Sequence, residues 1–471
     1  MSFDLDKEPL EEAAARAGEL FSRLYRGLES RRVDPGCTPE ELAPRFEQTL
    51  VDEGVGLLAA IQDFGEMVIP ASMATPHPMY FGLVNSSPLP AAALADMLVS
   101  SINNNHGAFG QGPAAAAAEQ ELLRAFSSLC FGHEEATGML LPGGTFANLQ
   151  GLLLARTSQF PEWDRAGPRS LSRTPMLYVA ESGHFSIARS AKAAGLGEDC
   201  VICLPTERRG AMRVDALAER IALDKREGRQ PFAVVATAGT TGTGAIDPLN
   251  EIATVAEEEG LWFHVDACYG GAALLVEELK PRFAGLERAD SIALDPHKWF
   301  FAPLTASLIL VRDPEIEHRS FDISAPYIPH QENIDSFRRG LPTSRRASSL
   351  TLWMSLRAHG WNAVRDSVRE NIRLTRLLER ELVEAGFRVL ADGELSMACV
   401  RFEPLGLSAE AVDSLQADIA RDLVASGETW FATLLHDGEL WMRFNLVNIH
   451  TQERHIYRLV ELLRQTACGL G

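Results

Sequence analysis

Between residues 137 and 311, seven short apolar runs alternate with stretches of helical periodicity, and this alternation constrains the fold more than any other feature. The runs cover 137–141, 176–180, 201–204, 233–237, 262–265, 291–294 and 306–311. Most of their residues are apolar, the pattern of a strand covered on both faces. Neighbouring parallel strands need a crossover between them, and the helical stretches at 214–222 and 249–258 supply two. The expectation is an α/β fold with a mainly parallel seven-stranded sheet and helices on both faces.

The ends differ. Residues 8–32 read as an amphipathic helix followed by the turn Asp34-Pro35-Gly36, a second helical stretch starts near residue 39, and 69–90 reads as extended chain. After residue 347 a long helix at 348–382 leads to β-like segments at 387–391 and 396–402, a helix at 408–425, a strand at 440–445 and a last helix to about 466. Three segments are expected: 1–88, helical and extended; 89–346, the large domain; and 347–471, a smaller α+β domain.

The chain has 471 residues and a formal charge of -20, which argues against nucleic acid or an anionic membrane as the main partner. No run of about 18 apolar residues occurs, and the acidic N-terminus lacks the pattern of a secretory signal. Seven scattered cysteines suggest reduced thiols in a cytoplasmic protein. Cys200 and Cys203 form a C-x-x-C, but it sits in an apolar run without a second pair or a His cluster, so it reads as structural and no metal site is expected.

Ligands of open α/β sheets bind at the carboxyl ends of the strands, and the informative residues fall there. The first strand runs into Pro142-Gly143-Gly144-Thr145, where a new helix offers free N–H groups and a hydroxyl to an anion. A Gly-Gly turn with a capping Thr is an equally good structural reading. The fifth strand ends in His264-Val265-Asp266, and a buried carboxylate needs a positive partner or a helix to cap. The sixth ends in Asp295-Pro296-His297-Lys298-Trp299. Most lysines are solvated surface charges, but this one is hemmed in by Pro, His, Trp and Phe300. Desolvation and nearby positive charge are expected to depress its pKa and ready it for imine formation. His184 follows the second strand and could stack on a flat ring, and Thr240-Thr241 follow the fourth. Gly242-x-Gly244 lacks the third glycine of a dinucleotide loop, since Asp247 stands in its place.

In the order and spacing of these motifs the chain resembles the group II pyridoxal-phosphate-dependent decarboxylases, which include aromatic amino acid, glutamate and cysteine sulfinate decarboxylases. The likeness runs from Thr75-Pro76-His77-Pro78-x-Tyr80-Phe81 to Arg443-Phe444-Asn445-x-x-Asn448-x-His450-Thr451. The resemblance implies the fold type I architecture of aspartate aminotransferase and a homodimer with shared active sites. It implies pyridoxal 5′-phosphate (PLP) bound to Lys298 as an internal aldimine, with Asp266 on the pyridine nitrogen and His184 stacked on the ring. Cys268 falls where the family has a small residue on the other ring face; Gly144 and Thr145 match phosphate ligands; Thr241 and His297 lie near the cofactor. Asp295 replaces an Asn that donates to the phosphate in many relatives, and a carboxylate cannot donate unless protonated. Substrate-pocket positions match Leu83, Val84, Asn85 and Ser86, with Asn105, His106 and Gly107 from the facing subunit, a more polar set than aromatic substrates ask for.

The implied reaction is decarboxylation of an L-amino acid to a primary amine, with Tyr327 as proton donor on a Pro-, Gly- and charge-rich segment, 322–346, that reads as a lid. The first alternative is an aldehyde synthase, an outcome tied in the family to loss of the loop tyrosine or the stacking histidine; both are present here. An aminotransferase is kept open by Arg443 as a carboxylate ligand. A non-catalytic relative fits poorly with an intact Lys298, Asp266 and His184.

Overall fold

A computed structural model describes residues 8–50, 52–323, 335–391 and 393–470. The seven expected strands form one sheet: β1 (Thr137–Leu141), β2 (Pro175–Ala180), β3 (Val201–Leu204), β4 (Gln230–Thr237), β5 (Trp262–Asp266), β6 (Ser291–Leu294) and β7 (Ser307–Val311). Their order is β1-β7-β6-β5-β4-β2-β3, parallel throughout except that β7 runs against both of its neighbours. β5 lies mid-sheet and is buried at every position, so its two polar residues, His264 and Asp266, must find partners inside the protein. The pairing of β4 with β5 sets Thr237 opposite Asp266, and that of β5 with β6 sets Asp266 opposite Ala293, so these strand ends converge on one edge.

The chain divides into two compact units. One holds residues 84–376 and 390–399, including the seven-stranded sheet; the other holds 1–83, 377–389 and 400–471. A second sheet, ordered β10-β11-β9-β8, is made of β8 (Phe387–Val389), β9 (Met397–Phe402), β10 (Ala432–His436) and β11 (Glu439–Asn445). β10 does not stand out in the sequence because its residues alternate between half-buried and exposed and carry no apolar run. The long helix Ser348–Glu384 is interrupted at Gly360, whose φ of 73° is open to glycine and costly for other residues.

Within the unit of the chain ends, the two terminal motifs of the family resemblance fold together. Phe81 N–H donates to Trp430 O and Asn445 N–H to Phe81 O, both at 2.8 Å. Asn448 Nδ2 donates to His77 O at 2.9 Å and Thr451 Oγ1 to Pro78 O at 2.8 Å. Motifs some 370 residues apart thus share one hydrogen-bond network, which gives a structural reason for their joint presence.

Candidate active site

The site is built where β1, β5 and β6 end. Helix Gly144–Gln159 starts directly after β1, and no side chain caps its N-terminus. Gly143 has φ 121°, a turn that L side chains rarely adopt, so the loop can bend back before the helix begins. At Gly144 a Cβ would lie 2.7 Å from Asp295 Oδ2 and 2.9 Å from Cys268 Sγ, so the absence of a side chain brings the helix start against the ends of β5 and β6.

Lys298 is about one-fifth exposed, and its Nζ lies 2.8 Å from Asp295 Oδ2. The expected depression of its pKa is corrected by this contact. Burial does work against the ammonium, but the carboxylates of Asp295 and Asp266 outweigh it and hold the lysine pKa above its ordinary value. The sequence context supplied the desolvation but concealed the charge, because Asp295 faces Lys298 only once the turn is folded. Asp295 also accepts from Ser307 Oγ and is 2% exposed. His297 Nε2 lies 3.8 Å from the same carboxylate, and Ser86 Oγ donates to His297 O at 3.0 Å, bringing one expected pocket segment beside the lysine. Behind them Trp299 is fully buried and donates to Asn371 Oδ1 at 3.0 Å, which fixes the turn that carries Lys298.

Asp266 is buried, and its two oxygens are held apart: Oδ2 accepts from Asn148 Nδ2 at 2.9 Å and Oδ1 from Cys268 N–H at 3.1 Å. Burial alone pushes its carboxyl up, but Lys298 and these donors outweigh it, so Asp266 stays ionised. His184 Nδ1 lies 2.8 Å from Ser186 Oγ, and burial lowers the histidine's pKa, so its ring is neutral at physiological pH. Cys268 is driven well above its ordinary pKa by burial and by Asp266 and Asp295, which leaves a neutral thiol.

The remaining expected residues are placed as follows. Thr145 is half-buried at the helix start, and Thr241 is exposed in the turn after β4. Leu83 is 48% exposed with φ 37°, Val84 is buried and Asn85 half-buried. Asn105 Oδ1 accepts from Gly107 N and Arg345 N, and His106 Nε2 lies 3.3 Å from buried Glu119. Arg443 is buried on β11. Tyr327 lies outside the described residues.

Asn148, Ser186 and His264 were not expected at the site, yet they hold its acid and its histidine. Their signals are present in the sequence. Asn148 stands four residues after Gly144 on the same helix face, and His264 precedes Asp266 by two on the same strand face.

Fold and site together define a PLP-dependent enzyme of fold type I. The pyridoxal-dependent decarboxylase conserved domain matches residues 39–403, and the chain belongs to that family. It is 32% identical to cysteine sulfinic acid decarboxylase of Mus musculus over 80% of this chain and 78% of that protein. It is 30% identical to L-2,4-diaminobutyrate decarboxylase of Rhizobium meliloti over 89% of this chain and 83% of that protein. The crystal structure of mouse CSAD superposes with a TM-score of 0.91 at 28% identity, covering 98% of this chain and 99% of that one. The protein is an amino acid decarboxylase, a carboxy-lyase that uses PLP. No helix among the described residues is long and apolar enough to cross a membrane.

Proposed function

We propose that Lys298 is the covalent anchor of PLP and that the enzyme converts an L-α-amino acid with a short polar side chain into its primary amine. The observation that carries this reading is the convergence of Lys298, ionised Asp266 and neutral His184 beside an uncapped helix N-terminus. That donor set matches a phosphorylated pyridine aldehyde group by group. Free N–H groups of Gly144 and Thr145 suit the phosphate, the Asp266 carboxylate suits a protonated ring nitrogen, and the Lys298 amine suits the aldehyde. His184 and Cys268 take the two ring faces, with Thr241, Asp295 and His297 around them. When bound, PLP supplies an electrophilic carbon for the substrate amine and a sink for the electron pair left by carbon dioxide.

The chain's own residues do the rest. Asp266 keeps its negative charge at the ring-nitrogen position, because Asn148 and the Cys268 N–H stabilise the ionised carboxylate. Each turnover releases carbon dioxide and consumes one proton at Cα. Tyr327 is proposed to deliver that proton. The substrate class is supported by the names of the relatives, whose substrates carry a sulfinate or an amine on a short side chain, and by polar Asn85. A homodimer, with residues 1–88 packed on the partner, and a cytoplasmic setting complete the proposal; seven free thiols support the latter.

The test is a product screen by mass spectrometry over the proteinogenic amino acids, cysteine sulfinate, 2,4-diaminobutyrate and dopa, with oxygen excluded. Amine and carbon dioxide in equal amounts from a short polar substrate are expected. Turnover of aromatic substrates alone overturns the substrate class, and aldehyde with hydrogen peroxide in air overturns the protonation step.

A further inference from the structure

We propose that Asn148 is a positioning residue that couples Asp266 to His184, as the branch point of a one-way hydrogen-bond chain that starts at Trp262 and fixes the proton of His184 on Nε2. The proposal rests on the assignment of Asp266 and His184 to the cofactor.

The contacts are consecutive. Trp262 Nε1 lies 3.0 Å from Ser291 Oγ, which lies 2.8 Å from His264 Nδ1. His264 Nε2 lies 3.0 Å from Asn148 Oδ1, and Asn148 Nδ2 reaches both Asp266 Oδ2 at 2.9 Å and Ser186 Oγ at 3.0 Å. Ser186 Oγ lies 2.8 Å from His184 Nδ1. Asn148, His264, Ser186 and Ser291 are each 1% exposed or less, so water does not compete for the links among them.

The proton positions follow from two ends independently. At one end the indole N–H of Trp262 can only donate, so Ser291 Oγ accepts it and has its own proton to offer His264 Nδ1, while ionised Asp266 takes the NH₂ of Asn148 and leaves Oδ1 to accept from His264 Nε2. His264 is neutral, since burial lowers its pKa to about 4, and an accepting Nδ1 puts the ring proton on Nε2. That proton meets Asn148 Oδ1, which leaves the amide NH₂ for Asp266 and Ser186. At the other end the backbone N–H of Ser186 can only donate, and it points at His184 Nδ1 from 3.3 Å. Nδ1 is therefore an acceptor, the Ser186 hydroxyl also donates to it, and Ser186 Oγ is free to accept from Asn148. Both ends demand the same orientation of the Asn148 amide.

The consequence is chemical. One amide supplies hydrogen bonds toward both the acid and the histidine, so His184 offers a donor at Nε2 and Asp266 remains an acceptor. Packing guards the arrangement: a Cβ at Gly151 would lie 2.6 Å from His264 Cε1, so only glycine admits the imidazole there.

The test uses the PLP-loaded enzyme, uniformly labelled with ¹⁵N-histidine, in wild type and in four variants: Asn148→Leu, Ser186→Ala, His264→Leu and His264→Gln. His184 is assigned by the signal missing in His184→Gln. Wild type is expected to show His184 with a proton on Nε2 and none on Nδ1. Ser186→Ala should move the His184 Nδ1 shift, since the hydroxyl bond is lost while the backbone N–H at residue 186 keeps the ring proton on Nε2, without touching Asp266. Asn148→Leu and His264→Leu should also move the pH midpoint of the bound cofactor's visible band, by about one unit, a tenfold change in proton affinity. His264→Gln keeps an N–H for Asn148 and an oxygen for Ser291, and should restore the wild-type spectra. Unchanged His184 shifts and an unchanged midpoint in Asn148→Leu and Ser186→Ala, or failure of His264→Gln to rescue, would overturn the coupling. Absence of any visible band in wild type would instead strike at the assignment of the cofactor site. If Asn148→Leu does not fold, the Ser186→Ala and His264→Gln spectra decide alone.

Discussion

Lys298 Nζ lies 2.8 Å from Asp295 Oδ2, so the residue proposed to attack an aldehyde is ion-paired with a carboxylate three residues before it. Only a neutral amine is a nucleophile, and Asp295 favours the ammonium. The same carboxylate stands against Gly144, at the helix start proposed to receive a phosphate. Asp295 therefore opposes cofactor capture twice, by holding a proton on the lysine and by placing negative charge beside an anion.

Asp295→Asn is expected to tighten PLP binding by on the order of tenfold, roughly 1.4 kcal/mol. The amide keeps an acceptor for Ser307, removes the buried charge and can donate where the carboxylate cannot. Titration of the apoprotein with PLP, followed by fluorescence, measures it, and the gain should be constant at and below neutral pH, where Lys298 is protonated in wild type, and fade only as pH rises through the lysine range. Weaker binding would mean that the carboxylate serves as an acceptor the cofactor site requires.

Tyr327→Phe should lower amine formation by roughly 10²–10⁴-fold, the usual contribution of a positioned proton donor. The carbanion then lives long enough to meet oxygen. In air, aldehyde and hydrogen peroxide should rise as amine falls; under nitrogen neither should form. An oxygen electrode and an amine assay on the same sample separate this outcome from a simple loss of binding.

Much of this was legible in the sequence, and the remainder has physical causes. The seven strands of the large sheet could be read because strands buried on both faces are apolar at most positions, as β7 is with Ser307-Leu308-Ile309-Leu310-Val311. β10 could not, since its alternating exposure leaves no run to detect. Lys298, Asp266 and His184 stood out as polar residues ending apolar strands or following them. The charge state of Lys298 was hidden, because whether Asp295 or a cation faces it depends on a turn that local sequence does not specify. Asn148 was hidden for a related reason: its partners Ser186 and His264 lie 38 and 116 residues away.

Glu317→Gln should change the pH dependence of stability rather than activity. Glu317 is fully buried, and burial raises its pKa from 4.5 to about 7, with Arg339 opposing and Glu119 adding to the shift. A carboxyl that binds its proton more tightly when folded contributes stability at low pH and loses it as pH rises from about 4.5 to about 7. The Gln side chain cannot ionise and can still accept from Thr137 Oγ1. The variant should therefore gain on wild type across that window, by roughly 3 kcal/mol at most. Melting temperatures of both proteins at pH 5 and pH 8 give the difference, and a gap that does not widen with pH would show that Glu317 is already ionised when buried.

Gly144→Ala separates the cofactor cradle from helix stability. Alanine favours a helix by about 1 kcal/mol over glycine, and Gly144 is not among the glycines with positive φ, so the backbone accepts the change. The obstacle is the methyl group itself, which would sit 2.7 Å from Asp295 Oδ2 and 2.9 Å from Cys268 Sγ. Both neighbours are short and buried, so neither can swing aside as a surface lysine would. Relief requires the helix start to move away from β5 and β6, at a cost of roughly 1–3 kcal/mol. The helix gain, smaller at this first helical position than in a helix interior, offsets only part of the packing loss in the melting temperature of the apoprotein, and only the loss acts on the cradle. PLP affinity should fall by about ten- to a hundredfold while apoprotein melting drops modestly, and an unaltered affinity would mean that the phosphate is held elsewhere.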